Sequence, residues 1–406
     1  MKAEVSFRIR SSLKKVPFVY FLNATLKARN NTTRMALLYR TYREKAQAAG
    51  IRYSESEMKD IVRTRLARRG IITSPSRGRL RIFWVGAHYE QDKSGFLKGL
   101  ESFGEVVTFR NAHGMYGLEY PDKYDRRLSS PDVVKRNSDC LLLQAEKAHR
   151  KAPIHVLMGQ MWANVLDADA LAGVQRMGIP TVNISMDDKL PVHWDFYKGR
   201  RMGSVGLTTG LDLVLTTSPD TCLWYLIEGC PAIYWPLASD PDLFFPRPEK
   251  IFDVVFVGGK YGMREKLVDA LISADIKVDA FGPGWPNGFI DAKRISEVFG
   301  QAKIILGSGY VGYNADILTI KLRDFDATMS GALYLTNRNP DLLLLFSEGT
   351  EIECYDTTEE CIRKAKYYLA NPSKREALAE AGLRKCRENH SWRRNLLNVL
   401  KILNLA

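Results

Sequence analysis

Four charged residues crowd into the six positions KLRDFD: Lys321, Arg323, Asp324 and Asp326. They sit directly ahead of the apolar run ALYLT and the polar turn Asn337-Arg338-Asn339-Pro340-Asp341. A carboxylate there could accept hydrogen bonds from the two hydroxyls of a ribose, and Asp326 is the candidate. Lys321 and Arg323 could neutralise phosphate or keep that carboxylate ionised by pairing with it. Asn339 and Asp341 would border the rest of such a ligand, although a salt-bridged helix end carries the same charge pattern.

Three other stretches offer chemistry of a related kind. In FVGGKYGMREK, Gly258 and Gly259 let a backbone approach a ligand closely, and the helix that follows presents its positive end to an anion. Lys260 and Arg264 are four apart, so a helix starting near Lys260 would point both toward a diphosphate. FWVGAHYEQ places Gly86 and His88 at a second strand end, where an imidazole could move a proton near neutral pH. NISMDDKLPVHW puts Asp187 and Asp188 after a third strand, where one of the two could act as base or bind substrate hydroxyls. Each stretch also reads as an ordinary turn with a solvated charge.

The elements that must position these residues alternate. From Leu80 onward, short apolar runs (LRIFWVGA, EVVTFR, IHVLMG, IPTVNIS, LDLVLTTS) alternate with helical stretches, and after the proline-rich WPLASDPDLFFPRPEK the alternation starts again with FDVVFVGG. The pattern predicts an α/β protein with two Rossmann-like, doubly wound domains facing a cleft. Residues 79–246 form the first domain and 247–392 the second. An amphipathic helix follows over 393–406, and a basic helical arm precedes over 1–78. Ligand chemistry is expected where the carboxyl ends of the two sheets face each other.

Charge separates the arm from the body. Met1–Arg79 hold nineteen Lys and Arg against five Asp and Glu, a net of +14, which leaves −1 for residues 80–406 out of a total of +13. A basic amphipathic arm could lie on an anionic membrane surface, bind an acidic polymer, or cap the next domain. Nucleic acid ranks last among these because the arm carries no recognisable reading motif. Six cysteines without a Cys-x-x-Cys pair fit reduced thiols, and no stretch has a strong divalent-metal pattern. The run VPFVYFL is too short to span a bilayer. These features predict a cytoplasmic protein, associated at most peripherally with the inner face of a membrane.

In order and spacing, FVGGKYGMRE, FGPGWPNG, KLRDFDATMSGALYLTNRNPDL and the tail from YDTTEECIRKAKYYLA to ENHSW resemble the glycosyltransferase group 1 proteins, especially their CgeB-like branch with the GT-B fold. The resemblance covers about Asp253 to Trp392 and extends loosely into the first domain through SMDD and TTSPDTCLWYLIEGCPAIYWPL. It implies transfer of a sugar from a nucleotide-sugar donor to a glycan, glycolipid or protein acceptor, with no cofactor. Gly258, Gly259, Lys260, Lys321, Arg323, Asp326, Asn339 and Asp341 would hold the donor. Arg264, Asp187 and His88 would act in catalysis, and Gly86 and Asp188 would face the acceptor. The family's Glu, seven residues, Glu pattern falls on Leu318 and Asp326, with Asp316 as the nearest carboxylate to replace the first. That departure keeps a second reading open, a non-catalytic scaffold that binds a sugar nucleotide.

Overall fold

The structure is a computed structural model. It describes residues 17–74, 78–87, 89–121, 129–197 and 199–406, with side chains from Ala24 onward. His88 lies outside the described residues. The runs LRIFWV, VLMG, TVNIS and LVLT are buried along their whole length, as strands covered on both faces must be. They belong to a six-stranded parallel sheet of β1 (Leu80–Val85), β2 (Gly104–Thr108), β3 (Val156–Gly159), β4 (Thr181–Ser185), β5 (Leu213–Thr216) and β6 (Ala232–Tyr234), ordered β2-β1-β3-β4-β5-β6. A second parallel sheet holds β7 (Phe252–Val257), β8 (Val278–Phe281), β9 (Ala302–Leu306), β10 (Leu333–Asn337) and β11 (Glu353–Tyr355), ordered β8-β7-β9-β10-β11.

Both orders reverse beside their first strand, between β1 and β3 and between β7 and β9. Chains leave a crevice at such points, because the connections on either side depart in opposite directions. The two crevices end at Gly86 and Gln160 in one domain and at Gly258 and Ser308 in the other.

Eleven helices of eight residues or more cover the sheets among the described residues: α1 (Pro17–Ala49), α2 (Glu55–Arg68), α3 (Pro131–Lys151), α4 (Ala168–Arg176), α5 (Pro219–Ile227), α6 (Met263–Ser273), α7 (Ala292–Gly300), α8 (Leu322–Met329), α9 (Thr358–Ala370), α10 (Pro372–Asn389) and α11 (Trp392–Ile402). An apolar core continues through the connection between the domains, where Trp235, Leu237 and Phe244 join residues of both sheets. The amphipathic α11 returns to the first domain. Trp392 meets Phe96 edge-on with centroids 5.1 Å apart, and Trp235 donates its indole N–H to the carbonyl of Asn395.

The arm is a long helix followed by a shorter one. Gly50 (φ +63°) and Gly70 (φ +71°) end them in the left-handed region that glycine tolerates. Tyr42 stacks on Trp224 at 4.7 Å, with Trp194 edge-on to both, so α1 is anchored to the first domain by an aromatic cluster. Farther toward its start, α1 reaches the second domain: Asn314 donates to the Ala28 carbonyl at 3.0 Å and Thr32 donates to Asp316 at 3.1 Å. These contacts fall on a hairpin, Tyr310–Val311 and Asn314–Leu318, that the alternating pattern did not suggest. Its turn uses Gly312 at φ +61°.

Candidate active site

The donor-side crevice is built by two arginines. Arg323, in the first turn of α8, donates to the carbonyls of Val257 and Ser308 (3.0 Å to the latter), so its guanidinium bridges the carboxyl ends of β7 and β9. Arg264, in the first turn of α6, lies over the Tyr261 ring at 4.4 Å. A methyl group on Gly258 would sit 2.9 Å from an Arg323 nitrogen and 3.4 Å from an Arg264 nitrogen, so both guanidiniums converge on this glycine. Both side chains are buried, and neither forms an ion pair among the described residues. Burial, and after it the neighbouring Arg323 charge, pulls Arg264 down to about 10. The Nε atoms of both arginines and the Ser308 hydroxyl are buried without a protein partner. Two adjacent desolvated cations with spare donors form a site for an anion.

The other members of KLRDFD diverge. Lys321 reaches across the cleft to Asp187 at 2.8 Å. Asp324 accepts from the Tyr334 hydroxyl and from the Lys321 amide at the start of α8. Asp326 accepts from Ser239 at 2.7 Å, in the connection between domains. Burial pushes Asp326 well above the usual carboxylate range. The structure thus places Asp326 about one helical turn beyond Arg323 on the same side of α8, where Ser239 of the interdomain connection, rather than the crevice, engages it. Asp316 is likewise turned to Thr32 of the arm, and Leu318 ends the hairpin.

Lys260 also departs from expectation. Helix α6 starts at Met263, three residues later than a joint Lys260 and Arg264 site requires, and the Met263 amide donates to Gly312. Lys260 instead pairs with Glu265 at 3.3 Å and lies over Trp285. Gly259 stays in the turn with no close steric neighbour except Tyr261. Asn339 accepts from the Asp341 amide, and Asp341 pairs with Lys189 of the first domain. Asp341 therefore joins the domains, and Arg338 is engaged outward by Glu348 and Asp356.

The acceptor-side expectations divide. Asp188 is buried and accepts from the hydroxyls of Ser185 (2.6 Å), Thr216 (2.6 Å) and Tyr225 (2.9 Å). Burial raises its pKa, and these donors partly offset the rise. Asp188 is thus buried and engaged by three protein donors. Asp187 is held at φ +61°, unusual for a residue with a side chain. Burial would raise its pKa, but Lys321, with help from His193 and Thr319, leaves it below the ordinary carboxylate value. Gly86 is filled from above by Tyr116, whose hydroxyl lies where a side chain would go. Below that tyrosine, Asp92 accepts from Tyr116 and Trp84, and burial pushes it up to about 6.

Sequence reading missed the wall of the cavity that Asp187 borders. It holds about 290 Å³ and is lined by Tyr120, Gln160, Trp162, Asn164, Met186 and His193 among others. The Gln160 carbonyl and the Trp162 indole N–H are buried without a protein partner. A second cavity of about 420 Å³ shares Leu190 and Val192 with it and reaches Tyr261 and Gly262 beside the arginines. Lys27, Asn31 and Arg34 of α1 form its roof. His193 lies within NISMDDKLPVHW, where the paired acids drew attention from it.

The glycosyl transferase-like family model matches residues 264–401. No curated protein matches the sequence. Among solved structures, HepE (Alr3699) from Anabaena in complex with UDP and glucose aligns with a TM-score of 0.56 at 12% identity, over 80% of this chain and 99% of that one. A glycosyltransferase from Rickettsia africae aligns at 0.56 and 12%, over 82% and 100%. Sucrose-phosphate synthase from Thermosynechococcus elongatus aligns at 0.53 and 10%, over 80% and 98%. The chain thus has the two-domain GT-B fold, and the part from α6 through most of α11 carries the glycosyl transferase-like sequence pattern.

Proposed function

We propose that the chain moves a sugar, of the hexose type, from a nucleotide-sugar donor to a glycan, glycolipid or protein acceptor in the synthesis of an envelope or surface polysaccharide. One observation carries the reading: Arg264 and Arg323 are buried side by side at Gly258, and neither has a carboxylate in direct ion-pair contact among the described residues. A diphosphate supplies the missing charge. As the glycosidic bond to the diphosphate breaks, negative charge grows on the departing oxygen, and guanidiniums fixed in a desolvated site stabilise it without rearrangement. In this mechanism the cations take the part a divalent ion plays elsewhere. The acceptor hydroxyl would enter from the Trp162 cavity, with Asp187 or His193 placed to take its proton.

The first test is thermal stabilisation by a panel of nucleoside diphosphates and their sugars, starting with uridine diphosphate because HepE has been solved with it. A ligand that binds only the folded chain raises the melting temperature, and Arg264→Ala should abolish the rise. If no nucleotide shifts the wild-type transition, the reading fails. Leu318 and the engagement of Asp326 by Ser239 favour a second reading, a scaffold that binds sugar nucleotide without turning it over. Calorimetric binding with neither transfer nor hydrolysis would establish it.

A further inference from the structure

We infer that the outer face of α1 is a docking surface for an anionic lipid bilayer. The arm's cations fall into two groups. On the inner side, Arg34 pairs with Asp195, Lys45 with Glu228 and Arg69 with Asp212, while Arg65 donates to the carbonyls of Thr208, Leu211 and Gly229. These charges are used in fastening the arm to the body. The second group serves no such purpose: Arg29, Arg40 and Arg43 are exposed, and of the three only Arg40 has an ion-pair partner among the described residues, the adjacent Glu44 at 3.6 Å.

The same helix face carries apolar side chains with nothing over them. Leu26 is 64% and Leu37 is 53% exposed, and eleven residues at 3.6 per turn bring them to one side about three turns apart. Arg29 and Arg40 each follow one of these leucines by three positions, which repeats the pair of apolar and cationic residues along the stripe. Ahead of Ala24 the helix sequence continues as PFVYFLN, and the preceding residues include Lys2, Arg8, Arg10, Lys14 and Lys15. Leu26 and Leu37 beside Arg29 and Arg40 on one helix suit the boundary between headgroups and acyl chains. An acidic protein or a nucleic acid would use the cations but leave Leu26 and Leu37 without a role. No described helix is long and apolar enough to cross a membrane, so the contact is with the surface.

The test is co-sedimentation of the full chain with phosphatidylcholine vesicles, alone or with phosphatidylglycerol as about a third of the lipid, at low and high salt. Binding is expected only to the anionic vesicles and should weaken with salt. Neutralising Arg29, Arg40 and Arg43 together (R29Q, R40Q, R43Q) should weaken it roughly a hundredfold, since each cation near an anionic surface contributes about fivefold. Leu26→Ser with Leu37→Ser should weaken it at least tenfold, a loss that charge attraction alone does not produce because neither substitution changes the charge. Both variants should keep the wild-type melting temperature and nucleotide response, which separates failure here from failure of the proposed transferase reading. Absence of vesicle binding, tighter binding to duplex DNA, or full binding by the leucine variant would overturn the inference.

Discussion

Two polar clusters sit at the carboxyl ends of the two parallel sheets, and they are opposites. In the first domain, Asp188 takes three hydroxyl donors and Trp194 closes on its backbone carbonyl, so this carboxylate and its donors are partnered. In the second, two like charges share one glycine, with three donor atoms left over. Burial is equal, but only the first cluster is self-sufficient. A buried polar group without a partner costs stability, and a chain keeps such a cost where a ligand removes it. The partnered cluster reads as architecture, and the unpartnered one is the site we propose for the donor's diphosphate.

The sharpest way to break this contrast is to delete one member of each cluster and read both binding and stability. Arg264→Ala should lower transfer, or nucleotide affinity if transfer is absent, by about a hundredfold to a thousandfold. Its melting temperature should hold or rise, because Arg323 loses a like-charged neighbour. Asp188→Ala should do the reverse. It takes the shared acceptor from three buried hydroxyls, which keep only Ser204, Thr221 and one another as partners, a cost of about 2 kcal/mol measured by denaturant titration, while the folded fraction keeps its nucleotide affinity. An Arg264 variant that unfolds, or an Asp188 variant that loses only binding, would erase the distinction.

Asp92 provides an intermediate case, because it accepts two hydrogen bonds yet one of its oxygens is orphaned. With its pKa raised to about 6, the folded chain holds a proton that the unfolded chain releases near pH 4. Stability should therefore fall as pH rises from about 4 to about 6, by on the order of 2–3 kcal/mol, and stay at the lower level above that. Asp92→Asn keeps an acceptor for Trp84 and Tyr116 and should remove this component of the slope. The check is the pH dependence of the melting temperature of the two proteins compared side by side.

The fold was legible because apolar runs and glycine stops are local signals, and parallel strands covered on both faces leave few other ways to arrange them. That Arg264 and Arg323 come near the Gly-Gly turn was suggested by their place after it and at the start of a helix. Which partner each charge in KLRDFD would meet was not. That depends on where α8 starts and how far along its axis each residue lies: three residues advance a side chain about 4.5 Å with little change of face, from the crevice at Arg323 to Ser239 at Asp326. Gln160 and Trp162 gave no signal because their orphaned atoms are defined only by what fails to surround them. His88 lies outside the described residues, so its role stays a proposal.

The smallest expected effect concerns the ion pair that joins the two clusters. Lys321 and Asp187 meet across the cleft, but their side chains are 24% and 41% exposed, so solvent screens the attraction and its contribution is below about 1 kcal/mol. Asp187 has a depressed pKa, so whatever stability it lends is present above the ordinary carboxylate value and is lost as pH falls through its own lower one. Lys321→Met should therefore change the melting temperature little at neutral pH and flatten its acid limb. Because Lys321 belongs to the second domain and Asp187 to the first, the larger consequence should be in relative domain motion: amide exchange should quicken in Asp187–Trp194 and in the first turn of α8 while the Asp188 cluster stays protected. Exchange that quickened around Thr216 and Tyr225 as well would mean that the partnered cluster leans on the cleft after all, and the two regions would no longer be separable.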